Sequence, residues 1–282
     1  MLRPATPADH VHYARLFPDL ATGDPVLPPD RWLDTIAPGT LIAEDGHGSV
    51  IGYAYLQILQ GNCYVRHVVI EPARRGEGRG RMLMDAVAAR LRAADCTRWC
   101  LNVKPENEAA VRLYRAIGMT NRHTMTAFRL DWDLAARLPR GDRSVIASLV
   151  APADDAAIEA AFAMPAGQIA EARKRPDLVL LRLVDPARPD DAGLGFAVYD
   201  PLFPGAFPFR VAAATLAPPM LAAIRAHERP DTPYIQLVSE DADLTAALLA
   251  IGATVRLSAL HMAGDVPGPA PSRHPPSAPD RC

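Results

Sequence analysis

One stretch constrains this chain more than any other: Val68-Val69-Ile70-Glu71-Pro72-Ala73-Arg74-Arg75-Gly76-Glu77-Gly78-Arg79-Gly80. A β-branched run ends at a proline, three glycines follow at alternate positions, and a helical apolar pattern runs from about Arg79 to Ala94. This order reads as strand, glycine-rich turn and helix N-terminus. Glycines at 76, 78 and 80 carry no Cβ, so main-chain N–H groups can close on an anion. The first turn of a helix leaves its N–H groups without intrahelical partners, and its dipole favours negative charge. Arg74, Arg75, Arg79 and Arg81 add positive charge. The expected ligand is therefore a polyphosphate or pyrophosphate. Two other phosphate loops do not fit. A Walker loop requires Lys-Ser/Thr after its last glycine, where this chain has Arg81-Met82. A dinucleotide fingerprint requires Gly-x-Gly-x-x-Gly, where this chain has Gly-x-Gly-x-Gly.

A second stretch, Leu101 to Met119, reads as strand, turn, helix and glycine stop. Together the two resemble motifs of the GNAT family of N-acetyltransferases. Arg75-x-x-Gly78-x-Gly80 matches its Arg/Gln-x-x-Gly-x-Gly/Ala signature. Asn107, Ala110, Leu113-Tyr114 and Gly118-Met119 match its Asn-x-x-Ala-x-x-Leu-Tyr-x-x-x-Gly-Phe/Met pattern. The resemblance covers roughly residues 1 to 133. It implies an α/β (α+β) fold with a mixed, mostly antiparallel sheet flanked by helices, the strand before the loop splaying from the next one.

The resemblance also implies acetyl-CoA, or another acyl-CoA, as co-substrate. It would be held by the main chain of Val68, Val69 and Ile70 and by Arg75, Gly76, Glu77, Gly78, Arg79 and Gly80. A neutral amine would attack the thioester directly. Tyr114 matches the tyrosine that protonates the departing thiolate, and a phenol near pKa 10 suits a thiol near 8.5. The alternative for Tyr114 is a core position on an amphipathic helix. Asn107 contacts CoA or caps its helix; either explains it. The general base departs from the family pattern. Arg66-His67 stands where a carboxylate is common. An imidazole near pKa 6.5 would suit neutral pH, so His67 is the candidate, against a plain packing role. Tyr53, Tyr55 and Tyr64 could line the acceptor site, and Asp19, Asp24 and Asp30 could attract a cationic amine.

At 282 residues the chain suits two domains. Leu134 to Asp142, with Pro139 and Gly141, reads as a linker at about 136–143, dividing residues 1–135 from 144–263. The second unit shows the same order of elements. A shift of 134 carries Ala116-Ile117-Gly118 onto Ala250-Ile251-Gly252 and Glu106 onto Glu240. The second copy lacks the loop chemistry. It reads Ala213-Ala214-Thr215-Leu216-Ala217-Pro218-Pro219, without glycine or arginine, and its prolines remove N–H donors. Asn107 maps to Asp241 and Tyr114 to Leu248. The expectation is a duplicated fold with one active site, a degenerate second copy, and a proline-rich disordered tail from Gly264 to Cys282.

Charge and cysteine usage bound the rest. Lys and Arg outnumber Asp and Glu 18 to 15 up to Arg140 and are outnumbered 12 to 17 after it. Neither imbalance suits nucleic acid. No apolar run of about 18 residues suggests a membrane span, and Met1-Leu2-Arg3-Pro4 does not read as a signal peptide. Four irregularly spaced cysteines suggest reduced thiols, no metal site and a cytoplasmic protein. Expected partners are a small-molecule amine or a protein amine, with a homodimer as a candidate assembly. The rival class is a non-catalytic CoA-binding module, told apart by thiol release from acetyl-CoA.

Overall fold

A computed structural model describes residues 1–269. The first half runs β1 (Leu2–Pro4), α1 (His10–Leu16), α2 (Pro29–Thr35), β2 (Thr40–Glu44), β3 (Val50–Leu59), β4 (Asn62–Ile70), α3 (Arg79–Ala93), β5 (Arg98–Val103), α4 (Glu108–Ala116) and β6 (Thr120–Asp131). A short α5 (Trp132–Ala135) leads into the second half. There follow β7 (Ile146–Leu149), α6 (Asp155–Ala161), α7 (Gln168–Arg173), β8 (Val179–Val184), β9 (Gly195–Asp200), β10 (Gly205–Val211), α8 (Ala217–Arg225), β11 (Tyr234–Ser239), α9 (Ala242–Ala250) and β12 (Thr254–Asp265). The second half repeats the first.

The repeat is closest at its C-terminal end. Helices α4 and α9 and strands β6 and β12 sit 134 positions apart, boundary for boundary. Their local chemistry matches too. Asn107 caps α4 by accepting from the Ala110 N–H, and Asp241 caps α9 by accepting from the Leu244 N–H. Gly118 and Gly252 end the two helices with φ of 91° and 88°. The N–H of the next residue then reaches back to the Tyr114 and Leu248 carbonyls. Any residue with a Cβ would be strained at either glycine.

All twelve strands form one sheet, in the order β1-β2-β3-β4-β5-β12-β6-β11-β10-β9-β8-β7. Only β4–β5 and β10–β11 run parallel. The duplicated fold is thus built on one continuous sheet. The halves exchange their last strands: β12 lies beside β5 of the first half, and β6 lies beside β11 of the second. The two exchanged strands pair with each other at the centre. Both carry a similar spacing of apolar residues. Met262 of β12 is fully buried in the first core with Leu83, Val87 and Leu91 of α3. Phe128 and Leu130 of β6 are buried in the second with Met220 and Ile224 of α8. The linker in sequence is thus not a boundary in the sheet.

The tail boundary is corrected as well. Gly264 and Asp265 still pair with Trp99 and Arg98, and the Val266 N–H donates to the Thr97 carbonyl. The remainder of the expected tail, from residue 270, lies outside the described residues.

Candidate active site

Strand β4 positions the site. Its β3 neighbour pairs Tyr55 with His67 and Leu56 with Val65, so Arg66 is an extra, bulged residue. The bulge flips the alternation, sending Val68 and Ile70 toward the α3 core and Val69 toward α1 and α2. Pairing with β5 ends at the same place, at Val65 and Leu101. Beyond it, residues 66–70 of β4 and 102–103 of β5 diverge. The Glu71 N–H donates to the Ile51 carbonyl. The antiparallel alternation then turns the main-chain groups of Val68 and Ile70 toward the open side. A splay with free main-chain groups on one wall results.

The glycine loop closes the top of this splay. A short turn, Pro72–Arg74, leads to Gly76 and Gly78, with φ of 83° and 74°. Gly78 is the N-cap of α3. The N–H groups of residues 76 to 81 have no hydrogen-bond acceptor among the described residues. Gly80 has a separate reason: a Cβ there would meet Leu113 Cδ2 at 3.2 Å, so it permits close packing of α3 on α4.

The loop arginines are less free than their number suggested. Arg74 pairs with Asp45 at 2.8 Å. Arg75 donates through Nε to the Ile70 carbonyl at 2.8 Å, with Asp19 at 3.6 Å. Arg81 pairs with Asp85, and Arg79 reaches Glu77 at 3.4 Å. Arg75 is in first place a strut that ties the loop to the end of β4.

Tyr114 lies in the first core on α4, and burial raises its phenol well above the ordinary value. Asn107 is a cap, as described above. His67 sits among the rings of Phe17, Tyr53 and Tyr55, with Nδ1 at 3.3 Å from the Tyr53 hydroxyl. Burial, with Arg66 nearby, lowers its pKa to about 3. The reason for choosing His67 as base, a pKa near neutrality, therefore does not hold in the folded chain. Tyr55 donates to the Thr35 carbonyl. A cavity of about 360 Å³ lies alongside, lined by Phe17, Pro18, Ala21, Thr22, Gly23 and Asp24. Asp24 is thus in the cavity wall; Asp19 faces Arg75 and Asp30 is on the first turn of α2.

A second polar group at the splay was not foreseen. Asn102, the first β5 residue past the paired segment, hydrogen-bonds Tyr64 of β4 and His261 of β12. His261 stacks on His123 of β6, and His123 Nε2 is 3.2 Å from Glu240. Polar residues alternating with apolar ones on these strands were the signal. Their meeting depended on the strand exchange.

The second half lacks a matching site. At its own splay, Arg210 and Glu240 form an ion pair at 2.6 Å. Pro218 and Pro219 occupy the first turn of α8. A Cβ on linker residue Gly141 would meet Thr215 at 3.1 Å, so the linker lies against the turn that corresponds to the glycine loop. Cys63 is a buried thiol and Cys100 a half-buried one, pushed up to about 12 and 11. No group of three potential metal ligands occurs among the described residues.

A splayed parallel pair in each half of one sheet, with unpartnered helix N–H groups at the mouth of the first, defines a tandem fold of the acetyltransferase kind. Residues 12–119 match the model of the Acetyltransferase (GNAT) family. The chain is 32% identical to a mycothiol acetyltransferase of Saccharopolyspora erythraea over 102 residues. That match covers 35% of this chain and 32% of the relative, about a third of either. Over nearly the whole chain the fold is similar to a GCN5-related N-acetyltransferase from Sphaerobacter thermophilus, with TM-score 0.65, 17% identity and 95% and 96% of the two chains covered. It is also similar to a tandem GNAT protein from the clavulanic acid biosynthesis pathway, with TM-score 0.57, 18% identity and 96% and 99% covered.

Proposed function

We propose that the chain is an acyl-CoA-dependent N-acyltransferase that moves acetyl from acetyl-CoA to a primary amine. The observation that carries this is the unbroken run of unpartnered N–H groups at residues 76–81, set at the mouth of the β4–β5 splay. The family of residues 12–119 supports CoA as the ligand of that run, and the relative's name supports acetyl as the acyl group.

CoA would lie with its pyrophosphate on Gly76–Gly80 and its pantetheine arm along Val68, Val69 and Ile70. There the arm completes the sheet where β5 has diverged. The main-chain N–H groups of Val68 and Ile70 would polarise the thioester carbonyl. The Tyr114 phenol, held protonated by burial, would donate to the departing sulfur. Asn107 holds the start of α4 and with it Tyr114. His67, neutral at physiological pH, shapes the acceptor side with Phe17 and Tyr53. The acceptor fits a small amine, drawn by Asp24 in the cavity wall. No helix among the described residues is long and apolar enough to cross a membrane. We take a cytoplasmic site of action, where acetyl-CoA is at hand, as part of the proposal.

The test is release of free thiol from acetyl-CoA over a panel of amines, amino acids, amino sugars and peptide N-termini. Amine-dependent release supports the reading. Tight CoA binding without turnover on any of them would replace it with a CoA-binding module.

A further inference from the structure

The second half of the chain reaches the first half's site through β12. Leu260 pairs with Val103 and His261 with Asn102, so His261 stands beside the point where β4 and β5 part. It projects on the face opposite the α3 core, since its neighbours Leu260 and Met262 belong to that core. We propose that His261 takes the proton from the amine attacking at the first half's splay. The second half would then contribute a catalytic group to a site it no longer duplicates. The inference rests on the acyltransfer reading above.

The hydrogen bonds fix which ring nitrogen is available. Nδ1 is 2.8 Å from Asn102 Oδ1. An amide oxygen only accepts, so Nδ1 carries the hydrogen and Nε2 keeps its lone pair. On its other side Asn102 Nδ2 donates to the Tyr64 hydroxyl. Nε2 has no hydrogen-bond partner among the described residues and is not sealed from solvent. The ring is held flat by His123, at 4.6 Å and 13° between planes, and Tyr64 meets it edge-on at 6.3 Å. His67, by contrast, is enclosed by aromatic rings and has Nδ1 engaged by Tyr53.

Charged groups reach the ring from β6, β10 and the end of β11. Burial, then His123, keep His261 below the ordinary histidine value; Glu240 opposes this, and Arg210 and Arg122 support it. Arg66 lies over Tyr64 at 4.4 Å. At neutral pH the ring is neutral and can accept a proton.

The step balances as follows. The amine lone pair forms the C–N bond to the thioester carbonyl carbon, and the C=O π pair moves to oxygen. The adduct nitrogen is now cationic and far more acidic than the free ammonium, so an imidazole of depressed basicity suffices. It gives its proton to His261 Nε2. The oxygen pair returns, the C–S bond breaks, and the thiolate takes the Tyr114 proton. The imidazolium then restores the phenol through solvent.

The first readout needs no acceptor. In ¹⁵N spectra of the full chain saturated with acetyl-CoA, His261 should be protonated at Nδ1 and bare at Nε2, and its Nε2 resonance should move on acetyl-CoA binding. The second is His261→Gln, which keeps a polar partner for Asn102. Its kcat should fall about 10²-fold or more, with CoA affinity within about twofold and the acid limb of the kcat/KM profile lost. Imidazole should restore part of the rate to His261→Gly. An Nε2-protonated ring, or one indifferent to acetyl-CoA, overturns the proposal. So does His261→Gln turning over within about threefold of the unaltered chain with the same acid limb. Absence of CoA binding, or of thiol release from the unaltered chain with every amine, instead removes the acyltransfer reading and this inference with it.

Discussion

The proposed anion site makes a prediction in which shape and charge can be separated. Gly78 has φ of 74° and caps α3, and a Cβ built on it meets nothing within 4 Å. Asn and Asp tolerate this left-handed conformation better than other residues with a side chain. Gly78→Asn and Gly78→Asp should therefore both fold, at a cost of about 1 kcal/mol each. They differ by one negative charge. A pyrophosphate on the N–H groups of residues 76–81 would bring at least one phosphate charge within about 6 Å of the new carboxylate. At an effective dielectric of about 20, that repulsion is about 3 kcal/mol, and solvent exposure of the loop reduces it toward about 1. CoA should then bind Gly78→Asp about 5- to 150-fold more weakly than Gly78→Asn, the gap narrowing as salt rises. Isothermal titration at two ionic strengths measures this. Equal affinities for the two variants would mean that no phosphate sits at this helix terminus, and the assignment of residues 76–80 would fail.

Three further outcomes follow from the packing and the titrating groups. A first half cut at residue 140 should be less stable than the full chain, since it lacks β12 and can cover β5 only by moving β6 into that place; a thermal midpoint equal to the full chain's would contradict the exchange. Tyr114→Phe should lower kcat while leaving CoA affinity unchanged, and an unaltered kcat would remove its role as donor to sulfur. His67 has a folded pKa of about 3 against an ordinary value of 6.5, so between these pH values the unfolded chain binds a proton that the folded one refuses. Stability should fall as pH drops through that window, at up to about 1.4 kcal/mol per pH unit from this residue. Denaturant titrations from pH 7 to 4 should show a shallower fall in His67→Gln; equal slopes would mean that the ring is not buried neutral.

The elements of this chain were legible because their signals are local. The loop at 76–80, the Asn107 cap and the Gly118 stop each depend on a few neighbouring residues, and each recurs at or near its expected place. Gly118 and Gly252 also exposed the repeat. The strand exchange was not legible, because β6 and β12 carry a similar spacing of apolar residues. That hid the contact between Asn102 and His261, 159 positions apart in sequence. His67 was misjudged for a related reason. Its position on β4 follows from the motif, but its pKa depends on Phe17, Tyr53 and Tyr55, which two other segments bring to it.

The two halves should bind one CoA between them, and the structure gives three independent reasons. In the second half, Pro218 and Pro219 remove N–H donors from the first turn of α8. Linker residue Gly141 lies on Thr215 at the same turn. Arg210 and Glu240 bridge the splay itself, beside a cavity of about 250 Å³ whose wall they share with Phe209, Val211, Asp241 and Leu244. Restoring donors alone, as in the double substitution Pro218→Ala and Pro219→Ala, leaves the other two obstacles in place. Titration with CoA should give one site per chain for the natural sequence and for this double variant. Two sites in the natural sequence would show that the bridged splay still admits a pantetheine arm. A second site appearing only in the variant would show that the missing N–H groups were the sole barrier, and that the ion pair and the linker yield to the ligand.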